Sequence, residues 1–270
     1  MKRHLLILAF LIAISKLVFS QGDVDDEAKI FLRNESTYSF LLNSNGWGVN
    51  YRYGKMIDAF NKKLYTVDIV GIRHPKEIKI VNPNYPNLKR FVFGKKNNFY
   101  CFRFGLGKQK KLYSKLDKGG VEIRYFYTIG TSIGVLKPIY YEVLYSSTTN
   151  TYEIKTEKFN TSIHSVFGIY ERASFFKGFN EISVMPGLFS KVGASFEYSN
   201  KDEKINAIEL GATLEVFPAD IKIMATKDNS FYFVSLFVSY RFGNIINGRM
   251  KNKKKFKKKK DKSELKDLHR

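Results

Sequence analysis

Few side chains of this sequence could carry out covalent catalysis. The body of the chain contains two histidines, His74 and His164, and Ser162 and Ser165 flank the second of them. Neighbours in sequence do not make a catalytic triad, because a triad is defined by the geometry of nucleophile, base and orienting group. The topology predicted below also places the two histidines on opposite sides of a membrane. We therefore predict no catalytic residue and no enzyme, and keep a hydrolase that depends on His164 as one alternative.

Metal and cofactor chemistry has even less support in the sequence. Two distant histidines and one cysteine lack the ligand spacing of a metal site, so we predict no metal and no cofactor. Cys101 is the only cysteine, and the chain therefore cannot form an intramolecular disulfide. We expect Cys101 to face the interior of the fold beside Arg103, as a small packed side chain rather than a reactive thiol.

Charged residues recur at every second position of several segments, opposite runs of apolar residues. In residues 230–243 every even position from Tyr232 to Phe242 is apolar, with aromatic rings at both ends, and the odd positions include Ser235, Ser239 and Arg241. A period of two predicts a β-strand with one apolar and one polar face. The charged residues that we expect on the inner, lumen-lining face of such strands are Arg52, Arg103, Glu122, Arg124, Lys191, Glu197, Glu209, Glu215 and Arg241.

Aromatic residues at the ends of the apolar runs indicate what the apolar face contacts. Transmembrane β-strands carry aromatic girdles where a barrel meets the two interfaces of the bilayer. A soluble antiparallel sandwich also alternates, but mid-strand charges and recurrent glycines on the charged face favour the membrane. We therefore predict an all-β fold, a closed antiparallel transmembrane β-barrel. The predicted girdle residues are Trp47, Tyr53, Tyr198, Tyr232, Tyr240 and Phe242.

Ten is the preferred number of strands. The barrel must close because lipid cannot hydrogen-bond an unpaired strand edge, and single-chain bacterial barrels have an even number of strands. An eight-stranded barrel with some segments outside the wall is the alternative. The ten segments are residues 28–33, 36–43, 46–54, 64–73, 97–107, 120–130, 132–144, 186–198, 203–217 and 229–242.

The ten-strand topology assigns each connection to one side of the membrane. The N- and C-termini and the short links 43–46, 130–131 and 199–202 fall on the periplasmic side. The longest link, 145–185, faces outside, as the long loops of such barrels do. The link 74–96 would be periplasmic, although it is too long for a simple turn.

The two ends of the sequence differ in character from the barrel segments. Residues 1–20 have a positive start, an apolar run and a small residue before Gln21, which is the pattern of a cleavable export signal. Residues 21–27 are predicted to form a periplasmic segment, residues 28–243 the barrel and residues 244–270 a lysine-rich tail. Residues 249–270 hold 12 basic and 3 acidic residues, +9 of the net charge of +21, and we expect them to be disordered.

Five blocks of the sequence resemble an uncharacterised family of outer-membrane β-barrel proteins from Bacteroidota. The resemblance extends over roughly residues 30 to 245. It implies a barrel fold and a bacterial outer-membrane location, and it implies no catalytic residue. The blocks are GWGVNYRYGK (46–55), HPKE (74–77), NNFYCFRFGLGKQ (97–109), GGVEIRYFY (119–127) and MPGLFSK (185–191).

The mixed signs of the inner face bear on what the barrel could do. Small barrels have interiors filled by side chains and buried charges must pair, so we expect an ion-paired plug, with a narrow channel for small solutes as the alternative. Apolar residues within 162–179 are expected to form a lid on the rim or a docking surface.

We therefore predict a structural or accessory subunit of an envelope complex. Its expected partners are outer-membrane lipid and envelope proteins that contact loop 146–180 and tail 249–270. The basic tail could bind phosphate groups, but export makes nucleic acid a poor partner, and we predict none.

Overall fold

The computed structural model of the chain describes residues 33–115, 119–146, 152–201 and 203–247. The predicted export signal, the segment 21–27, the tail beyond residue 247 and nearly all of the predicted strand 28–33 lie outside these ranges. Within them, no helix is long and apolar enough to cross a bilayer. The one helical element that these ranges contain is the short 3-10 turn Phe179–Glu181.

Strands account for most of the regular structure. In chain order they are β1 (Arg33–Asn43), β2 (Gly46–Met56), β3 (Asn61–Ile72), β4 (Lys79–Ile80), β5 (Phe91–Val92), β6 (Asn97–Tyr113), β7 (Glu122–Pro138), β8 (Tyr140–Ser146), β9 (Tyr152–Lys158), β10 (Ile169–Arg172), β11 (Ser183–Glu197), β12 (Lys204–Val216) and β13 (Tyr232–Asn247).

Eight of these strands close into one antiparallel barrel. The order around the wall is β1, β2, β3, β6, β7, β11, β12 and β13, and β13 pairs back onto β1 from Arg33 to Asn43. The closed all-β barrel predicted from the alternating segments is confirmed. The preferred count of ten strands is wrong, and the alternative of eight is confirmed.

Side chains alternate across the barrel wall with the predicted period. In β13 the side chains of Val234, Leu236 and Val238 are exposed on the outer face, while Ser239 and Arg241 are buried inside. The predicted polar and apolar faces of β2, β6, β11 and β12 have the same sense. The outer face of the barrel is thus mainly apolar, and the charged residues predicted for the inner face lie inside.

The count of ten falls to eight at two places. Arg33, the one described residue of the predicted strand 28–33, belongs to β1, and the predicted turn 130–131 is not a turn. The continuous strand β7 covers residues 122–138 of the predicted segments 120–130 and 132–144, and it passes through Gly130 without turning. Residues 140–144 belong to β8. Gly130 lies opposite Gly105 of β6 and Phe189 of β11. A Cβ atom at Gly130 would lie 1.9 Å from the carbonyl oxygen of Phe104. The glycine is therefore needed for the close approach of β6, not for a turn.

The connections leave the barrel in two sets, at what we name the terminal end and the cap end. The terminal end carries Arg33, Asn247 and the links β2–β3, β6–β7 and β11–β12. The cap end carries the links β1–β2, β3–β6, β7–β11 and β12–β13. The links 43–46 and 74–96 therefore lie at the end opposite the one predicted, and His74 and His164 lie at the same end.

The long links fold into a cap. Strands β8, β9 and β10 form a three-stranded antiparallel sheet, and β4 pairs with β5. The predicted loop 145–185 is thus partly regular structure. Phe91, Tyr141, Phe159 and Ile169 are buried together in a second apolar core. The Tyr141 hydroxyl donates a hydrogen bond to the carbonyl oxygen of Lys95 at 2.7 Å, which ties the β7–β11 link to the β3–β6 link.

Replacing Gly130 with alanine should destabilise the barrel. The new methyl group would meet the β6 backbone, and overpacking of this kind typically costs about 1–3 kcal/mol. The measurement is the free energy of unfolding in detergent micelles, followed by the gel shift of the folded band in denaturant. Gly119→Ala is the matched control, because a Cβ there meets nothing within 4 Å. Equal loss of stability in both variants would contradict the close-packing role.

Candidate functional site

The inner face of the barrel carries a layer of buried ion pairs midway along the wall. Glu209 of β12 accepts from Arg52 of β2 at 2.7 Å and from Arg241 of β13 at 2.8 Å. Arg241 also donates to the hydroxyl groups of Thr37 and Ser39. Arg52 and Glu209 are on strands that are not neighbours in the wall. Their pair therefore crosses the lumen.

Two further ion pairs also cross the lumen. Arg103 of β6 donates two hydrogen bonds to Glu215 of β12, at 2.7 and 2.8 Å. Lys191 of β11 donates to Asp68 of β3 at 3.1 Å. Ser132 completes the shell of Glu215 with a hydrogen bond of 2.9 Å. All four charged side chains are buried, so each pair satisfies charges that water does not reach.

A second charged cluster closes the terminal end. Arg124 of β7 is paired with three carboxylates, those of Glu35, Glu122 and Glu197. Lys62 adds a further ion pair to Glu35. The cluster lines a cavity of about 440 Å³ that opens at this end of the barrel. Lys111, Lys115 and Lys201 also line this cavity, so it combines five cations with three carboxylates and has a small positive excess.

All nine charged residues predicted for the inner face lie on it, and eight are buried while Glu122 is half-buried. The sequence reasoning missed Glu35, Lys62 and Asp68, which pair with them. Asp68 could have been found, because it stands between Val67 and Ile69 in a segment already predicted as a strand. Glu35 belongs to β1, whose first residues the predicted strand 36–43 leaves out.

An apolar layer fills the barrel near the cap end. Phe217, Ile221, Ile223 and Met224 of the β12–β13 link are buried with residues of the barrel wall. The ring of Phe217 lies 5.5 Å from that of Phe99, centroid to centroid. The link is held by hydrogen bonds from Lys96 N to Ile223 O and from Ala225 N to Gly94 O. Ion pairs and this apolar layer together occupy the lumen.

Neither histidine of the cap has the surroundings of a catalytic base. The two ring nitrogens of His74 contact the backbone, at Lys76 N and Asp228 O. His164 accepts a hydrogen bond from Asn160 N, and its other ring nitrogen lies 3.6 Å from a carboxylate oxygen of Glu157. No serine hydroxyl is bonded to either ring in the described part of the chain.

Cys101 and the metal-ligating types of side chain do not form a reactive or metal-binding site either in the described part of the chain. Cys101 is buried inside the barrel, on the same face as Arg103. The described ranges also hold no group of three acidic, histidine or cysteine side chains that could bind a metal ion.

The outer face of the barrel is apolar over most of its height. Exposed fractions reach 68% for Leu42, 62% for Ile129 and 67% for Leu236. Of the six predicted girdle residues, Tyr53 is half-buried and the others are exposed. Tyr240 and Phe242 are not at the end of a strand, since β13 continues to Asn247. They contact each other and, with Tyr38, Phe40 and Tyr51, form one aromatic patch.

Comparison with protein-family models gives no match, and comparison with curated proteins gives none either. Among solved structures, the chain is similar to the Neisserial surface protein A, with 7% identity and a TM-score of 0.35, over 80% of this chain and 97% of that one. Ail of Yersinia pestis has 9% identity and a TM-score of 0.36, over 80% of this chain and 99% of that one. The N-terminal β-barrel domain of Pseudomonas aeruginosa OprF has 7% identity and a TM-score of 0.33, over 79% of this chain and 97% of that one. Similarity at this level says nothing about activity.

Replacing Arg103 with methionine should destabilise the folded barrel by about 3–5 kcal/mol, because the buried carboxylate of Glu215 would lose its cation. The free energy of unfolding in micelles measures the effect. The double variant Arg103→Met/Glu215→Leu removes both charges and should recover most of the loss. Lys108→Met, at an exposed position of the same strand, is the control. A double variant less stable than the single one would contradict a stabilising role for the pair.

Proposed function

We propose that this chain is an integral protein of the bacterial outer membrane, with a closed lumen and a folded cap on the outer surface. The observation that carries the proposal is the distribution of polarity: the closed barrel has apolar side chains outside and paired charges inside. A soluble protein exposing a continuous apolar surface of this kind would aggregate. A bilayer is the environment in which both faces are satisfied at once.

Strand length supports the same location. The barrel strands are 11 to 17 residues long. A tilted strand crosses the hydrocarbon core with about 9–11 residues. Every strand is therefore long enough to span, and the longest ones extend beyond the membrane. The family resemblance of the sequence to Bacteroidota barrels agrees with this location and stays a prediction.

Orientation follows from the lengths of the connections. In outer-membrane barrels the periplasmic turns are short and the long loops are extracellular. Three of the four links at the cap end are long, and the links at the terminal end are short. The cap is therefore proposed to lie outside the cell, and the termini in the periplasm.

The role that fits best is an accessory or structural subunit rather than a conduit. Ile163, Phe167 and Phe176 of the cap are exposed by 60% or more, so they do not pack as a lid. Phe175, Phe176 and Phe179 contact one another, and Lys137 lies over the Phe175 ring at 4.5 Å. These rings form a docking surface for another envelope protein, in the predicted contact loop 146–180. Tail 249–270, the second predicted contact, lies outside the described residues.

Cysteine labelling tests the location and the orientation together. Ser162 is exposed in the cap and Ala59 is exposed in the β2–β3 link. A membrane-impermeant maleimide should label Ser162→Cys on intact cells, and Ala59→Cys only after the cells are permeabilised. The native Cys101 is buried and should stay unlabelled, which makes the unmodified chain the control. Labelling of both variants on intact cells would contradict the orientation, and recovery of the chain without membranes would contradict the location.

A narrow channel is the competing function, and planar bilayers distinguish it. Because ion pairs and apolar residues fill the lumen, the purified chain should give no stepwise conductance. The heat-unfolded protein serves as the control for leakage caused by detergent. Reproducible steps whose size follows salt concentration would favour the channel. A hydrolase dependent on His164 has no supporting geometry in the described residues.

A further inference from the structure

A cavity of about 520 Å³ lies where the barrel wall meets the cap. Its lower wall is the outer face of the barrel, represented by Trp47, Val49 and Ile69. Its upper wall belongs to the cap and includes Phe91 and Tyr141. The cavity is therefore at the level where lipid chains end and head groups begin, if the barrel spans the outer membrane as proposed above.

The cap side of this cavity is strongly basic. Five cations line it: Arg73, Lys79, Arg90, Lys95 and Arg172. A single carboxylate, Glu77, also lines it, and its oxygen lies 2.6 Å from the Lys95 ammonium. The other four cations have no carboxylate within ion-pair distance anywhere in the described ranges.

This excess of positive charge contrasts with the barrel interior, where every cation faces a carboxylate. Burial lowers the pKa of the Lys95 ammonium, and the positive charges of Arg73 and Arg172 act in the same direction. Glu77 opposes this lowering through its ion pair with Lys95, and all three cations line the same cavity. Like charges gathered around a cavity are stabilised when an anion occupies it.

The lower wall points to the rest of the ligand. Below the cavity the outer face continues through exposed apolar side chains of β6, Phe104 and Leu106. A free anion would gain nothing from this surface, whereas an acyl chain attached to the anion would cover it. Arginine is the cation that best matches phosphate, because its guanidinium donates two parallel hydrogen bonds.

We propose that this cavity binds a phosphorylated lipid of the outer leaflet, with the phosphate held by Arg73, Arg90 and Arg172 and the acyl chains against the wall near Trp47. The site rests on the proposed membrane location. It makes the barrel selective for anionic lipid on one side of its wall.

Trp47 offers a direct test, because it is the only tryptophan of the chain and it lines the cavity. The full chain is reconstituted in phosphatidylcholine vesicles that contain a small fixed fraction of phosphatidic acid with brominated acyl chains. A parallel sample contains the same fraction of brominated phosphatidylcholine. Bromine quenches tryptophan fluorescence at short range, so quenching by the anionic lipid should exceed quenching by the zwitterionic one.

Two triple variants test whether the excess quenching by the anionic lipid arises at the cavity. Arg73→Ser/Arg90→Ser/Arg172→Ser changes exposed side chains and should lose the excess, while keeping the quenching seen with brominated phosphatidylcholine. Lys55→Ser/Lys108→Ser/Lys110→Ser removes the same charge from exposed positions toward the terminal end and should keep the excess. The folded band on a gel shows that both variants have formed the barrel.

Three results would overturn the lipid site. Equal quenching by the two brominated lipids would show no selectivity. An excess that persists in the arginine variant would place the selectivity elsewhere. An excess abolished by millimolar glycerol phosphate would assign the cavity to a soluble phosphate. Absence of quenching by either lipid is a different outcome, because it would contradict the membrane location itself.

Discussion

Pairing of buried charges inside the barrel is the constraint on which the other features depend. Arg52 and Glu209, Arg103 and Glu215, and Lys191 and Asp68 join strands on opposite sides of the lumen. Each pair would be costly to break, because a single charge left in the interior has no water to solvate it. The pairs therefore tie the opposite walls together through specific contacts that adjacent-strand hydrogen bonds do not supply.

The same layer explains why the apolar residues are outside. With charges inside and the backbone paired around a closed wall, hydrocarbon can contact the outer face without meeting an unsatisfied polar group. The apolar seal from the β12–β13 link then completes the filling of the lumen at the cap end. Side chains thus fill the lumen, and the residues available for recognition lie at the rim of the barrel and in the cap.

The sequence predicted the local features well because a strand repeats every two residues. Alternation alone placed Arg52, Glu209 and Arg241 on the inner face. Alternation could not fix the number of strands. A glycine such as Gly130 is expected both in a turn and where a neighbouring backbone approaches closely, so its presence does not distinguish the two. That one error reversed the side of every connection before β7, and so separated His74 from His164. The partners across the lumen depend on closure and stagger, which no local pattern encodes.

The position of the β12–β13 link in the chain has a consequence for how the protein is put together. Phe217, Ile221 and Ile223 come just before β13, the strand that completes the ring by pairing with β1. Until β13 is in place, Glu209 lacks Arg241 and the seam between first and last strands is open. Filling of the lumen at the cap end, the second cation of Glu209 and the joining of the seam are therefore coupled in one cooperative step that completes the barrel.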